Sequence, residues 1–289
     1  MAASLNIAAL VAWTLVMVVF SYAICGIPFG LVIARVMGNV DVRSTGSGKI
    51  GTTNVARSVG KTAAILTLLC DLGKGLVCMV FARFLLSVMA CGTVGFSPLL
   101  SSGEGLAAMC AVYAGCILGH VFSPYLHFHG GKGIAVGFGA GLGLWWPIGL
   151  GLLAVFVVFA VPSRYVSFGS VMAAVSLPIQ CALWGFPPAG IVFIAVVALV
   201  VVWAHRENIS KLVRGEERKF SFHKKGEGEP SSSDAAATSD TLSKDAEDLS
   251  DGGGVEDAEV SSGAHFAKAD TGNVDADSSS ALDSAGADE

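Results

Sequence analysis

The sequence predicts an all-helical integral membrane protein, and its composition and apolar runs are the observations behind that fold class. Of its 289 residues, 53% are hydrophobic and 14% are charged, and the mean hydropathy is +0.66. Soluble domains carry about 25% charged residues, so the composition argues against a single soluble domain. The 36 glycines follow no three-residue period, which excludes collagen and favours closely packed membrane helices. The seven cysteines form no Cys-x-x-Cys pair, so we interpret them as small apolar residues within helices.

Five apolar runs are long enough to cross a bilayer, which requires about 20 residues. They are Leu5–Ile27, Thr62–Met89, Leu106–Leu126, Tyr165–Gly185 and Pro187–Ala204. The N-terminus lacks the basic region and the small-residue cleavage site of a signal peptide. We therefore expect the first run to remain in the protein as a membrane helix.

The segment Ile134–Val161 is also apolar, but Trp145, Trp146 and Pro147 interrupt it. Proline removes a helix hydrogen bond and clashes with the preceding turn. Each half is then about 20 Å long at 1.5 Å per residue, whereas a bilayer core is about 30 Å thick. We predict that the segment enters the membrane and returns as a hairpin of two short helices, which makes seven membrane helices in all.

The distribution of basic residues predicts the orientation of these helices. The stretch from Arg35 to Lys61 contains five Lys or Arg residues, and the stretch from Arg206 to Lys225 contains seven. The loop from Ser87 to Gly105 contains none. We therefore expect an external N-terminus, a cytoplasmic C-terminus and five full crossings.

Charge also divides the chain into two predicted parts. Residues 1–225 carry 16 Lys and Arg against 6 acids, whereas residues 226–289 carry 2 lysines against 17 acids. The second part is rich in Ser, Ala, Gly and Asp and has few apolar side chains with which to form a core. We predict a polytopic membrane catalytic domain over 1–225 and a disordered acidic tail over 226–289.

The first polar segment between the apolar runs looks like a phosphate cradle. Glycines let backbone N–H groups approach an anion closely, and hydroxyl, amide and guanidinium groups among them add donors. The alternative is a flexible, solvated loop. The residues that form this candidate cradle are Gly46, Ser47, Gly48, Lys49, Gly51, Thr52, Thr53, Asn54 and Arg57.

The second polar segment places Lys132 among glycines at the start of an apolar run. Such an arrangement can bring an ammonium group and bare backbone amides to one anion. The same segment contains His120, His127 and His129, whose spacings of seven and two residues do not favour a metal site. We interpret His120 as a hydrogen-bonded structural residue.

The third polar segment follows the last apolar run and contains His205 and Asn208. It could be simply a basic flank whose side chains reach lipid headgroups. That explanation does not account for His205 and Asn208, which lie at i and i+3 and so share a helix face. Histidine titrates near neutrality, and the amide of asparagine can both donate and accept hydrogen bonds. Asp71 and Lys74 form another i, i+3 pair, within an apolar helix, where either a structural or a functional role is open.

These segments together indicate phosphate-type anion sites at the cytoplasmic rim of a helical membrane domain. A small phosphorylated substrate that meets a lipid would explain them. A transporter of phosphorylated metabolites is the alternative class of function.

Seven ordered motifs resemble those of the bacterial acyl-phosphate:glycerol-3-phosphate acyltransferases, the PlsY family. The similarity runs from about Tyr22 to Lys219. Lys49 stands where the family usually has Asn, and Gly26 where it usually has Ser. The motifs are Gly26–Gly30, Gly46–Arg57, Asp71–Gly75, Gly119–His120, Gly130–Gly133, Arg164–Ser167 and His205–Asn208.

The resemblance implies transfer of an acyl chain from acyl phosphate to the 1-hydroxyl of sn-glycerol 3-phosphate, which is the first acylation of phospholipid synthesis. It implies no cofactor, no metal and no acyl-CoA. The expected partners are the two substrates, membrane lipids and the soluble enzyme that makes the donor, with no nucleic acid. The expected location is a bacterial cell inner membrane, with the active site on the cytoplasmic face.

The resemblance also assigns roles to residues. The glycine cradle with Ser47 and Asn54 would hold the donor phosphate, and His205 or the departing phosphate would accept the proton of the hydroxyl. The expected catalytic residues are His205, Asn208 and Ser47. The expected substrate-binding residues are Gly46, Gly48, Lys49, Gly51, Thr52, Thr53, Asn54, Arg57, Gly131, Lys132, Arg164 and Ser167.

Overall fold

The computed structural model describes residues 5–94 and 97–219, and this part of the chain is built from helices. The first four helices are α1 (Ile7–Gly26), α2 (Phe29–Gly38), α3 (Thr52–Ser58) and α4 (Lys61–Cys91). They are followed by α5 (Ser97–Leu100), α6 (Gly103–Val121), a short 3₁₀ helix (Pro124–Leu126), α7 (Ile134–Leu144) and α8 (Trp146–Ser163). The last three are α9 (Val166–Leu183), α10 (Pro188–Ala204) and α11 (Arg206–Val213). The acidic tail predicted over 226–289 lies outside the described residues.

Local side chains and glycines set several helix ends. The Asn6 side chain accepts the Ala9 N–H at 3.0 Å before α1, and Ser102 accepts the Gly105 N–H at 2.9 Å before α6. These contacts satisfy backbone donors that a helix N-terminus leaves free. Gly92 ends α4 in the left-handed conformation, with φ 65°.

Five helices in the described part are long and apolar enough to cross a membrane, or six if α10 and α11, which are bent by 56°, count as one span. All five predicted runs coincide with helices, but the last one corresponds to α10, which is a candidate span only together with α11. The protein is a multi-pass integral membrane protein. The number of crossings and the orientation stay predictions.

The break in the sixth apolar segment occurs where the sequence predicts it. Trp145 is extended, with φ −159°, and separates α7 from α8. Pro147 lies in the first turn of α8, where its missing N–H leaves no hydrogen bond unmade. The prediction that neither half could cross alone is wrong for the second half. Because α8 includes Pro147 and continues to Ser163, it has 18 residues and is itself a candidate span, whereas α7 has 11.

Glycines let the membrane helices pack with their backbones in contact. A Cβ on Gly119 of α6 would lie 2.1 Å from the Tyr22 carbonyl oxygen of α1. A Cβ on Gly139 of α7 would lie 1.9 Å from the Leu72 carbonyl oxygen of α4. Lipid provides no hydrophobic driving force between helices, so the close van der Waals packing that small residues allow helps to hold the helices together. Close packing of α6 on α1 and of α7 on α4 fixes the positions of the loops at the helix ends.

Candidate active site

The cradle segment between α2 and α3 is folded around the side chain of Asn54. This side chain is 2% exposed, and its amide nitrogen lies within 2.8–3.1 Å of the carbonyl oxygens of Val42, Thr45 and Lys49. Its Oδ1 accepts the Ser47 N–H at 3.1 Å. Asn54 therefore stabilises the fold of the loop through its side chain. The groups that remain available to a ligand belong to neighbouring residues.

Glycine is needed at Gly46 and Gly48 for the shape of this loop. Both have positive φ values, 57° and 65°, a conformation that other residues adopt at a cost. A Cβ at Gly46 would also lie 2.2 Å from Asn54 Oδ1. Ser47 and Arg57 are exposed on the outside of the loop. The cradle thus presents a hydroxyl and a guanidinium group around an open turn.

The start of the cradle carries a surface ion-pair cluster. The carboxylate oxygen Oδ2 of Asp41 lies 2.6 Å from Arg43 Nη2 and 3.0 Å from Arg35 Nη2. The hydrogen bonds from Arg43, followed by that from Arg35, lower the pKa of Asp41 below its ordinary value. This carboxylate neutralises part of the positive charge of the basic loop.

The Gly130–Gly133 loop is fixed to the end of α6. The N–H of Gly130 donates to Val121 O and that of Gly131 to His120 O, both at 3.0 Å. A Cβ at Gly131 would lie 2.2 Å from His120 Nε2, so a larger residue would not fit between the loop and the ring. Lys132 follows directly and is thereby held at a fixed position.

His120 is in contact with a buried ionic network. Lys74 Nζ lies 2.8 Å from Asp71 Oδ1, 2.8 Å from Ile27 O and 3.1 Å from His120 Nδ1. Because the Lys74 ammonium group donates, His120 Nδ1 accepts, and the ring hydrogen of neutral His120 lies on Nε2. The pair predicted at Asp71 and Lys74 is therefore confirmed as a contact, and it connects α4 to the loop that carries Lys132.

The Lys132 ammonium group brings the second and third polar segments together. It donates to Asn208 Oδ1 on α11, and Asn208 Nδ2 donates to Glu217 Oε1 at 2.8 Å. The hydroxyl of Ser167 at the start of α9 donates to the same Glu217 oxygen. A cation, an amide, a hydroxyl and a carboxylate from four separate segments thus form one continuous network.

Charges on several segments act on Lys132. Burial lowers the pKa of Lys132, while Glu217 and Glu207 raise it and Lys49 and Lys211 lower it. Lys49 belongs to the cradle. An anion between Lys49 and Lys132 would relieve the repulsion of the two ammonium groups.

His205 joins α10 to α11 and is 2% exposed. Its Nδ1 lies 2.8 Å from Val201 O, a carbonyl oxygen that can only accept, so the Nδ1 carries the hydrogen and Nε2 has a free lone pair. Burial lowers the pKa of His205 to about 4, which keeps the ring neutral at pH 7. A neutral imidazole with a fixed tautomer can accept a proton or a hydrogen bond at Nε2.

Other predicted residues make no hydrogen bond to the Lys132 network within the described part of the chain. Arg164 is exposed at the end of α8 with φ 62°. His127 and His129 are exposed, whereas His120 is buried, so the three histidines do not share one environment. Thr52 is half-buried and Thr53 exposed in the first turn of α3.

Glu217 is the residue of this site that the sequence analysis missed. It follows α11 within a strongly basic flank, and its role depends on contacts with Ser167, which is 50 residues away in the chain. An acid within a basic segment is the signal that could have drawn attention to it.

Comparisons with known proteins give consistent matches to this chain. A family model described as glycerol-3-phosphate acyltransferase matches residues 15–215. The glycerol-3-phosphate acyltransferase of Rubrobacter xylanophilus is 38% identical over 212 residues, which are 73% of this chain and 98% of that protein. That of Geobacter sulfurreducens is 40% identical over 206 residues, covering 71% and 97%.

The chain belongs to the glycerol-3-phosphate acyltransferase family. The resemblance to PlsY drawn from the motifs is thereby confirmed, and the protein is an acyltransferase. Its fold is similar to the crystal structure of PlsY, an integral membrane glycerol 3-phosphate acyltransferase, in the glycerol 3-phosphate form. That comparison has a TM-score of 0.62 and 30% identity, and it covers 72% of this chain and 96% of PlsY. The lysophosphatidic acid form of PlsY gives a TM-score of 0.60.

The matched region of this acyltransferase includes all the site residues predicted from the sequence, from Gly46 to Asn208. The roles of the individual residues are proposals, which the geometry described above supports.

Proposed function

We propose that this acyltransferase moves an acyl chain from acyl phosphate to the 1-hydroxyl of sn-glycerol 3-phosphate. The products are 1-acyl-sn-glycerol 3-phosphate and inorganic phosphate. The hydroxyl oxygen forms a bond to the acyl carbon, the bond from that carbon to the phosphate oxygen breaks, and the phosphate leaves with the electron pair. The observation that carries the proposal is the Lys132 network, in which Asn208 lies three residues after the neutral, buried His205.

Lys132 and its neighbours suit the phosphate of glycerol 3-phosphate. A partly buried ammonium group gives a strong, charge-assisted hydrogen bond to a phosphate oxygen. Ser167 and Asn208 add a hydroxyl and an amide beside it. The Glu217 carboxylate accepts hydrogen bonds from Ser167 and Asn208, which supports the binding of an anion by these two donors.

Asn208 and His205 suit the reacting hydroxyl. The contacts of Asn208 with Lys132 and Glu217 fix the orientation of its amide. The free Nε2 lone pair of His205 can accept a hydrogen bond from the hydroxyl and align its oxygen with the acyl carbon. The proton then goes either to His205 or to the departing phosphate. The kcat and KM of His205→Ala distinguish these routes.

The glycine cradle suits the phosphate of the donor. Around the turn at Gly46 and Gly48, Ser47, Lys49 and Arg57 supply a hydroxyl and two cations, whereas the N–H groups of Ser47 and Gly48 donate within the loop. Stabilising the charge that develops on the leaving phosphate lowers the barrier to acyl transfer. Asn54 acts through the shape of the loop and does not itself hold phosphate.

An apolar cavity beside the polar site suits the first part of the acyl chain. It is lined by Tyr113, Ile117, Gly133, Gly137, Val197 and Val201, among others. Gly133 adjoins Lys132, and Val201 is the hydrogen-bond partner of His205. The remainder of the chain would extend between the helices into lipid.

We also propose that the site faces the cytoplasm from a bacterial inner membrane. The two basic segments, Arg35–Lys61 and Arg206–Lys225, carry much of the site and belong on the cytoplasmic side by their charge. A soluble enzyme that makes acyl phosphate could then supply the donor directly.

The experiment is an assay of the purified full-length protein in detergent with glycerol 3-phosphate and either acyl phosphate or acyl-CoA. We expect phosphate release and acylated product with acyl phosphate, and no product with acyl-CoA. Product formed only from acyl-CoA would contradict the proposed donor. Flux of glycerol 3-phosphate into liposomes without any acylated product would instead support a transporter.

A further inference from the structure

Three cysteines from three membrane helices meet in the core of the protein. Cys25 of α1, Cys78 of α4 and Cys116 of α6 are each at most 1% exposed. Their sulfur atoms all lie within 4.8 Å of one another, and those of Cys25 and Cys78 are 3.9 Å apart. The sequence analysis interpreted them only as small apolar residues, because their distances along the chain give no sign of the cluster.

The spacing of the sulfur atoms matches a metal site. A metal–sulfur bond of about 2.3 Å places the sulfur atoms of a planar three-coordinate site about 4.0 Å apart. The 3.9 Å between Cys25 and Cys78 meets this requirement, and Cys116 needs to approach by less than 1 Å. Very little movement of the helices would therefore be required to close the site.

The surrounding helices hold the three thiols in place. A Cβ at Gly115 of α6 would lie 2.8 Å from Val18 O of α1, so the backbones of these helices touch beside Cys116. Ser21, one helical turn before Cys25, is fully buried beside the Cys78 thiol.

The donor set favours a soft cation that accepts three ligands. Thiolates select Cu(I) and other thiophilic ions over hard cations. Structural zinc is almost always four-coordinate, whereas this cluster offers three sulfur atoms. Among residues 5–94 and 97–219, neither a carboxylate nor an imidazole belongs to the cluster.

We propose that Cys25, Cys78 and Cys116 form a Cu(I) site within the membrane domain. On binding, each thiol that ligates as a thiolate loses its S–H bond, forms a copper–sulfur bond and releases one proton, and the copper keeps its oxidation state. Lys74 lies four residues before Cys78, and His120 four residues after Cys116, so the site is one helical turn from the ionic network. Bound copper would cross-link α1, α4 and α6 one helical turn from that network.

The test is an anaerobic titration of the reduced, full-length protein in detergent with Cu(I), in competition with a chromophoric Cu(I) chelator. We expect one tightly bound copper per chain, a higher Tm on binding, and X-ray absorption that shows sulfur ligands only. Cys25→Ser, Cys78→Ser and Cys116→Ser should each weaken binding by at least tenfold and abolish the rise in Tm.

Cys181→Ser is the matched control, because Cys181 is also fully buried but lies outside the cluster. It should bind copper as the unchanged protein does. Equal copper binding by Cys25→Ser/Cys78→Ser/Cys116→Ser and by the unchanged protein would overturn the proposal, as would no uptake at all. Uptake of Zn(II) in place of Cu(I) would overturn the choice of metal. These readouts do not depend on the proposed acyl donor.

Discussion

At the scale of single residues, Lys132 and His205 divide the site between binding and chemistry. Lys132 is a partly buried cation with a fixed position, and His205 is a neutral imidazole with a fixed tautomer. An interaction made equally in the ground and transition states affects KM, whereas one made only in the transition state affects kcat. The two side chains should therefore give opposite kinetic signatures when they are removed.

Replacing Lys132 tests the binding role. A lost charge-assisted contact costs roughly 1.5–3 kcal/mol, so Lys132→Ala should raise the KM for glycerol 3-phosphate by about ten- to a hundredfold with little change in kcat. Steady-state kinetics with varied glycerol 3-phosphate measure this. Lys61→Ala is the control, since Lys61 is exposed at the start of α4 and outside the network, and it should leave KM nearly unchanged. A fall in kcat alone would assign Lys132 to the chemical step.

Replacing His205 tests the chemical role. His205→Ala should lower kcat by about 10²- to 10⁴-fold if the imidazole is a general base, with KM nearly unchanged. Burial lowers the pKa of His205 to about 4, and the neutral ring is the active form. The rate of the unchanged enzyme should therefore fall only as the pH drops through about 4, and not near the ordinary histidine value of 6.5.

The opposite result would identify another proton acceptor. If His205→Ala changed only KM, and the pH profile of the unchanged enzyme had no such acid limb, His205 would be a substrate ligand. The departing phosphate of the donor would then accept the proton.

At the scale of elements, the end of α6 supports the loop that carries Lys132. Gly131→Ala would place a Cβ 2.2 Å from His120 Nε2, so the loop or the ring must move. Such overpacking typically costs 1–3 kcal/mol, and Lys132 would be displaced with the loop. We expect a higher KM for glycerol 3-phosphate and a lower Tm. Gly73→Ala is the matched control, because a Cβ there meets nothing within 4 Å. It should neither raise the KM for glycerol 3-phosphate nor lower the Tm.

Apolar run length and turn residues predicted most of the helices, because these signals are local in the chain. Trp145 and Pro147 correctly marked the break between α7 and α8. The length of α8 was not predicted, because a proline in the first turn of a helix does not shorten it. Glu217 and the three-cysteine cluster were missed for another reason: they depend on contacts between segments that no local pattern records.

At the scale of the whole molecule, we assign activity to the membrane domain alone. The network of Lys132, Ser167, Asn208 and Glu217 is complete within residues 5–219. Deletion of Gly226–Glu289 should therefore leave the specific activity within a few fold, as measured with purified protein of equal membrane insertion. Loss of activity in a truncated protein that inserts normally would show that the tail takes part in the reaction.

The most direct test of the central claim follows the bridging oxygen of the donor. Acyl phosphate labelled with ¹⁸O between carbon and phosphorus is incubated with glycerol 3-phosphate and the purified enzyme, and the products are analysed by mass spectrometry. If the hydroxyl attacks the acyl carbon, the label appears in the released phosphate, and one ester forms at the 1-hydroxyl for each phosphate. Label in a free fatty acid, or phosphate release without an acylated product, would contradict the account.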